Sequence, residues 1–129
     1  MKPILNKNDV EININKAQKI LKNGDLVIFP TETVYGLGGN ATDGNAIKKI
    51  YKIKNRPINN PLICHFKNIE NIEKNFFINN IAYKLAKKFW PGPLTLVLEK
   101  KDSSDISAKL SNKQKFVGCR IPNHPIALE

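Results

Sequence analysis

Phe29-Pro30-Thr31-Glu32-Thr33-Val34-Tyr35-Gly36-Leu37-Gly38-Gly39 is the stretch from which the chain is best read. The apolar run Leu26-Val27-Ile28-Phe29 leads straight into hydroxyls and a carboxylate, and a glycine segment follows. A buried strand over Asp25–Phe29 would end in Pro30 and present Thr31, Glu32, Thr33 and Tyr35 at a sheet edge. Open α/β sheets bind ligands at the carboxyl ends of their strands. The glycines read either as a turn needing positive φ or as room for a ligand. They fit neither the phosphate-binding P-loop nor the dinucleotide fingerprint.

Working outward, strands alternate with helices, the pattern of an α/β domain with a mixed, twisted, open sheet and flanking helices. Pro3-Ile4-Leu5 suggests a short edge strand. Asn15 is a candidate cap for a helix running to Lys22, closed by Asn23-Gly24. Thr42-Asp43-Gly44-Asn45 offers caps for a second helix, on which Ala46, Ile47, Ile50 and Tyr51 share one apolar face. Leu62–Phe66 reads as a strand and Asn68–Lys74 as a short helix. Asn79 or Asn80 caps a longer helix with Ile81, Leu85 and Phe89 at fourfold spacing and Ala82 and Ala86 beside them. Trp90-Pro91-Gly92-Pro93 breaks that helix. Strands follow at Leu94–Leu98 and Phe116–Ile121, separated by a polar, irregular segment over Lys100–Lys115. A Pro-started helix at His124–Glu129 ends the chain with its apolar face unfinished.

The 129 residues suit one domain, and 41% apolar content is enough for a core. No apolar run is long enough to span a membrane, so a cytoplasmic protein is expected. Cys64 and Cys119 sit in apolar segments without metal-ligand spacing and read as buried thiols. The net charge of +10 comes from nineteen dispersed Lys and only two Arg. It fits a solvated lysine surface or a surface for nucleic acid. The scarcity of Arg directs attention to Arg56 and Arg120, because guanidinium is the preferred planar anion clamp.

Lys54 and Arg56 stand one residue apart in Lys54-Asn55-Arg56-Pro57-Ile58-Asn59-Asn60-Pro61-Leu62, past a helix and inside a proline-stiffened loop. They read as solvated charges or as a grip on polyphosphate, Lys as a point charge and Arg as a bidentate clamp. Thr31 and Thr33 read as backbone-capping hydroxyls, Glu32 as a solvent-facing charge, His65 as a boundary histidine and Asn60 as a turn residue, each with a ligand contact as the alternative. No Ser/His/Asp set or Cys/His pair stands out. Chemistry here would rest on positioning and electrostatics rather than on a protein nucleophile.

Four ordered blocks resemble the YrdC/Sua5 (TsaC) family, the L-threonylcarbamoyladenylate synthases. They are Phe29–Gly38, Lys54-Asn55-Arg56-Pro57 (a K-x-R motif) with Asn60–His65, Trp90–Thr95, and Val117–Pro125. The resemblance implies a nucleotidyltransferase that condenses L-threonine, bicarbonate and ATP into threonylcarbamoyl-AMP and pyrophosphate. Transferase partners then pass the group to adenosine 37 of tRNA, the t6A modification. It implies Lys54 and Arg56 on the phosphates, Asn60 at the nucleotide, and Thr33, His65 and Arg120 at the threonine, with Arg120 binding an anionic group. It also implies Thr31, Tyr35 and Thr95 lining the cavity, and Mg²⁺ arriving with ATP. The family's S-x-N motif lies beyond Glu129. Residues 1–129 are therefore expected to be the N-terminal portion of a YrdC-like domain whose C-terminal part is absent. Two other functions fit less closely: a tRNA or double-stranded RNA binding module without catalysis, and the YrdC-like domain of a hydrogenase-maturation carbamoyltransferase.

Overall fold

A computed structural model describes residues 7–129, so the strand expected at Pro3-Ile4-Leu5 lies outside the described residues. In order, the elements are α1 (Lys7–Lys22), β1 (Val27–Phe29), β2 (Gly36–Gly38), α2 (Gly44–Lys54), β3 (Ile63–His65), α3 (Ile69–Asn75), β4 (Phe76–Phe77), α4 (Asn80–Phe89), β5 (Leu96–Lys100), β6 (Phe116–Arg120) and α5 (Pro125–Leu128). The main sheet is mixed, ordered β3-β6-β5-β4, with β3 and β6 parallel and the other pairs antiparallel. β1 and β2 form a separate antiparallel pair.

Helix α2 forms as its sequence predicts. The Asp43 carboxylate accepts the backbone N–H groups of Asn45 and Ala46, satisfying donors that the first turn leaves open. Asn55 ends the helix in the left-handed conformation, one that Asn tolerates better than most residues. Ala46, Ile47, Ile50 and Tyr51 are all buried. Asn68 and Asn79 cap α3 and α4 in the same manner.

The core lies between α2 and one face of the main sheet, where Ile47 and Tyr51 join Cys64, Phe76, Leu98, Val117 and Cys119. Cys64 and Cys119 are register partners on β3 and β6, both buried and free. Burial pushes the Cys64 thiol up to about 12, and Cys119 higher still. They are inert core residues, as expected.

Three local expectations fail. Helix α1 begins by Lys7, eight residues before Asn15, so no cap at Asn15 is used. β1 is not a buried strand: Ile28 is 73% exposed, because a two-stranded ribbon leaves one face open. On α4 the Ala edge turns inward instead of the large side chains. Ala86 is buried and Ala82 packs on the core, while Ile81 is 71% exposed. The polar segment after β5 is irregular as expected, and a 3-10 turn at Ala108–Ser111 within it buries Leu110, with Ile106 just before it buried too.

Candidate active site

A cavity of about 410 Å³ lies between the β1–β2 ribbon, the end of α2 and the open side of β3. Six residues expected at a site line it: Thr31, Tyr35, Lys54, Arg56, His65 and Arg120. The local sequence explains why they meet. His65 and Arg120 are register partners at the C-terminal ends of the parallel strands β3 and β6, where α/β sheets place ligands. Lys54 is the last residue of α2. Thr31 begins the turn between β1 and β2.

The glycines in the ribbon serve packing rather than a turn. Neither Gly36 nor Gly38 has positive φ; among the described residues Gly24 is the one glycine that does. A Cβ on Gly36 would stand 3.1 Å from Phe29 Cζ, and one on Gly38 would stand 2.7 Å from Phe29 Cε1. Lacking side chains, both allow the Phe29 ring to lie across β2 and meet the His65 ring edge-on, 5.8 Å between centroids. His65 is exposed by surface area. Local desolvation nonetheless lowers its pKa, and a hydrogen bond with the Ile63 backbone opposes that shift. The imidazole is therefore neutral at neutral pH, with nitrogen positions available for hydrogen bonding.

Arg56 does not project freely. Its Nε donates to the Asn60 carbonyl at 3.0 Å, and its Nη2 donates to Asn60 Oδ1 at 3.0 Å and to the Pro61 carbonyl at 2.6 Å. The Tyr51 hydroxyl donates to the same Asn60 carbonyl at 2.9 Å. Burial raises the Tyr51 pKa, and the Arg56 charge partly offsets the rise. Three of the five guanidinium N–H groups thus hold the Pro57–Pro61 loop, and the Nη1 pair makes no bond among the described residues. Asn60 does not line the cavity; it anchors Arg56 instead. Lys54 is exposed at the cavity wall.

Thr33 lies just outside the lining and is tied into it. Its Oγ1 is 3.4 Å from both Nη1 and Nη2 of Arg120, and 3.1 Å from Thr31 Oγ1. The Thr31 hydroxyl donates to the Val34 carbonyl at 2.6 Å. Thr31 therefore has no proton left for Thr33, and Thr33 is the donor between them. Thr95 is also outside the lining. It is half-buried, and its Cγ2 packs where a side chain on Gly118 would otherwise stand.

Sequence reasoning missed Glu32. It is not a free solvent-facing charge. One carboxylate oxygen pairs with Arg120 Nη2, and the other accepts the Asn123 backbone N–H at 2.6 Å. The two side chains are only 20% and 11% exposed, although Glu32 as a whole residue counts as exposed. Arg120 Nε donates to the Gly92 carbonyl at 3.0 Å, so the Trp90–Pro93 turn holds it from the other side. The guanidinium expected to await an external anion already has an internal one. The signal available beforehand was the presence of one acid in a segment otherwise rich in hydroxyls, together with the scarcity of Arg.

A family model described as Telomere recombination, covering Sua5, YciO and YrdC proteins, matches residues 19–129. The chain belongs to the Sua5/YciO/YrdC family. It is 48% identical to the threonylcarbamoyl-AMP synthase of Pyrococcus abyssi over 92% of its own length and 35% of that protein's. It is 43% identical to the Bacillus subtilis threonylcarbamoyl-AMP synthase over 96% of its length and 35% of the relative. The crystal structure of P. abyssi Sua5 complexed with L-threonine superposes with a TM-score of 0.84 at 42% identity, covering 98% of this chain and 36% of that one. The chain therefore spans about a third of the length of these relatives. Its mixed four-stranded sheet and flanking helices agree with the YrdC-like fold expected from the sequence. Among the described residues no helix is long and apolar enough to cross a membrane, and no group of three or more His, Cys, Asp or Glu is placed to hold a metal ion.

Proposed function

We propose that this chain carries the ATP- and threonine-binding part of a threonylcarbamoyl-AMP synthase acting in the cytoplasm on L-threonine, bicarbonate and ATP. The observation that carries the reading is the meeting of Lys54, Arg56, His65, Thr31 and Arg120 around one cavity, with Thr33 bonded to its rim. The relatives named for this activity and the threonine-bound structure of one of them support the assignment.

The two ends of the site differ. Arg56 is fixed at Pro61, where β3 is about to begin, and His65 ends that strand. Leu62 to His65 spans roughly 10 Å at ~3.3 Å per residue. The Lys54/Arg56 end suits phosphates: Lys54 supplies a mobile charge, and Arg56 offers its two Nη1 hydrogens from a rigid mount. The Thr33/His65 end suits the hydroxyl and amine of threonine. Asn60 acts through Arg56. Mg²⁺ enters as part of the ATP substrate, where it would neutralise phosphate charge.

In the reaction the threonine amine attacks the bicarbonate carbon and water is lost, giving a carbamate. A carbamate oxygen then attacks the α-phosphorus as the bond to pyrophosphate breaks. The protein contributes alignment of the two reactants and stabilisation of the charge that develops on the leaving pyrophosphate. The product would serve partner transferases that modify tRNA adenosine 37.

The test is pyrophosphate release by the native gene product, with each of threonine, bicarbonate and ATP omitted in turn. All three should be required. Lys54→Ala should lower kcat/KM by about 100-fold, the scale for losing one charge-stabilising group. Turnover that survives this change, or that needs no threonine, would sink the assignment.

A further inference from the structure

The ion pair between Glu32 and Arg120 settles the charge of one end of the cavity. Arg120 lines the cavity, and without a partner it would make the Thr33/His65 end cationic like the Lys54/Arg56 end. Glu32 cancels that charge in a setting where both side chains are largely screened from water. Both of its oxygens are engaged, one by Arg120 Nη2 and the other by Asn123 N–H, so it is a fixed strut and not a displaceable occupant. His65, held neutral by desolvation, adds no charge there.

We propose that Glu32 is a specificity-determining and positioning residue. By neutralising Arg120 it makes the threonine end accept a zwitterionic amino acid and reject phosphate-like anions, which are left to Lys54 and Arg56. The proposal rests on the assignment of threonine and ATP to this cavity. It explains how one cavity holding three cations sorts a polyanion from an amphoteric amino acid. A like-signed site at both ends would bind phosphate in either place, and ATP would compete with threonine for its seat. The same strut sets geometry. Arg120 is held by Glu32 on one edge and by the Gly92 carbonyl on another, so its remaining contacts point to Thr33.

The experiment is dead-end inhibition kinetics on Glu32→Gln, with inorganic phosphate as the probe. In the native protein phosphate should compete with ATP and not with threonine. In Glu32→Gln, which keeps the shape and removes the charge, phosphate should also compete with threonine. The KM for threonine should rise about tenfold, the effect of ~1.4 kcal/mol, while the KM for ATP stays put. A purely structural role would move both KM values together and leave the inhibition pattern unchanged, and either result overturns the proposal. Should Glu32→Gln not fold, Arg120→Gln reads the balance from the other side. It leaves Glu32 uncompensated, so preference should shift about tenfold from L-threonine towards the cationic L-threoninamide. An unchanged preference overturns the proposal equally. Failure of the native protein to bind threonine at all would instead refute the functional assignment, before either variant is made.

Discussion

Replacing Arg56 by Lys keeps the charge and removes the fork. Three N–H groups now bind Asn60 Oδ1 and the carbonyls of Asn60 and Pro61, at 3.0, 3.0 and 2.6 Å. A single ammonium cannot reach all three in one plane. A charged hydrogen bond protected from water contributes about 1.5–3 kcal/mol, and an ordinary one about 0.5–1.5. Arg56 is half-buried and its acceptors lie in an exposed loop, so the lower range applies. Losing two of the three bonds should cost about 1–2 kcal/mol. For 129 residues that corresponds to a fall in Tm of about 4–7 °C. Circular dichroism measures the melt, and hydrogen exchange measures the loop. The Asn60 amide, bonded to the Pro57 carbonyl, and the Leu62 amide, bonded to the Leu110 carbonyl, should both exchange faster. If the variant melts within ~1 °C of the parent with both amides unchanged, the prolines alone hold the loop. Arg56 would then be a free side chain at the cavity and not one mounted on the loop.

Gly38→Ala places a Cβ 2.7 Å from Phe29 Cε1 and should destabilise by about 1–3 kcal/mol through overpacking. Gly44→Ala, where the Cβ meets only the flexible Lys109 and the Ser107 hydroxyl at 3.0 Å or more, should cost little, so equal urea midpoints would argue against the packing account. His65 has its pKa lowered by desolvation, so the unfolded chain takes up the proton first as pH falls. The stability it contributes is complete above the unfolded value near ~6.5 and is lost below it, down to the folded pKa. Titration of the His65 ring by NMR checks the direction, and His65→Asn should flatten the stability slope in that window.

Much of the fold was legible because local chemistry and tertiary packing agreed. Asp43, Asn68 and Asn79 are caps whose side chains satisfy helical N–H groups directly, and such bonds are local enough to read from spacing. The α2 face was legible for the same reason: only one stripe of that helix is apolar. On α4 the stripe is wide, and spacing permits either edge to face the sheet. The narrow Ala82/Ala86 edge packs inward, leaving Ile81 and Phe89 exposed. Helix α1 starts by Lys7, and nothing in a run of Lys, Asn and Glu marks that start more strongly than Asn15 does.

The site was legible as a set of residue types and not as a circuit. Lys54, Arg56, His65 and Arg120 were identifiable because Arg is scarce and because their blocks resemble a family. What each guanidinium does depends on acceptors distant in sequence or carried by the backbone. Arg120 meets Glu32 across 88 positions and the Gly92 carbonyl across 28. Arg56 meets two carbonyls that no side-chain pattern reveals. The two arginines are spent in opposite ways. Arg56 gives its hydrogen bonds to neutral carbonyls and keeps its positive charge for the cavity, while Arg120 gives its charge to a carboxylate. That difference turns two like residues into one cationic end and one neutral end. It depends on a single acid, Glu32, which the sequence places between two threonines and the fold places against Arg120.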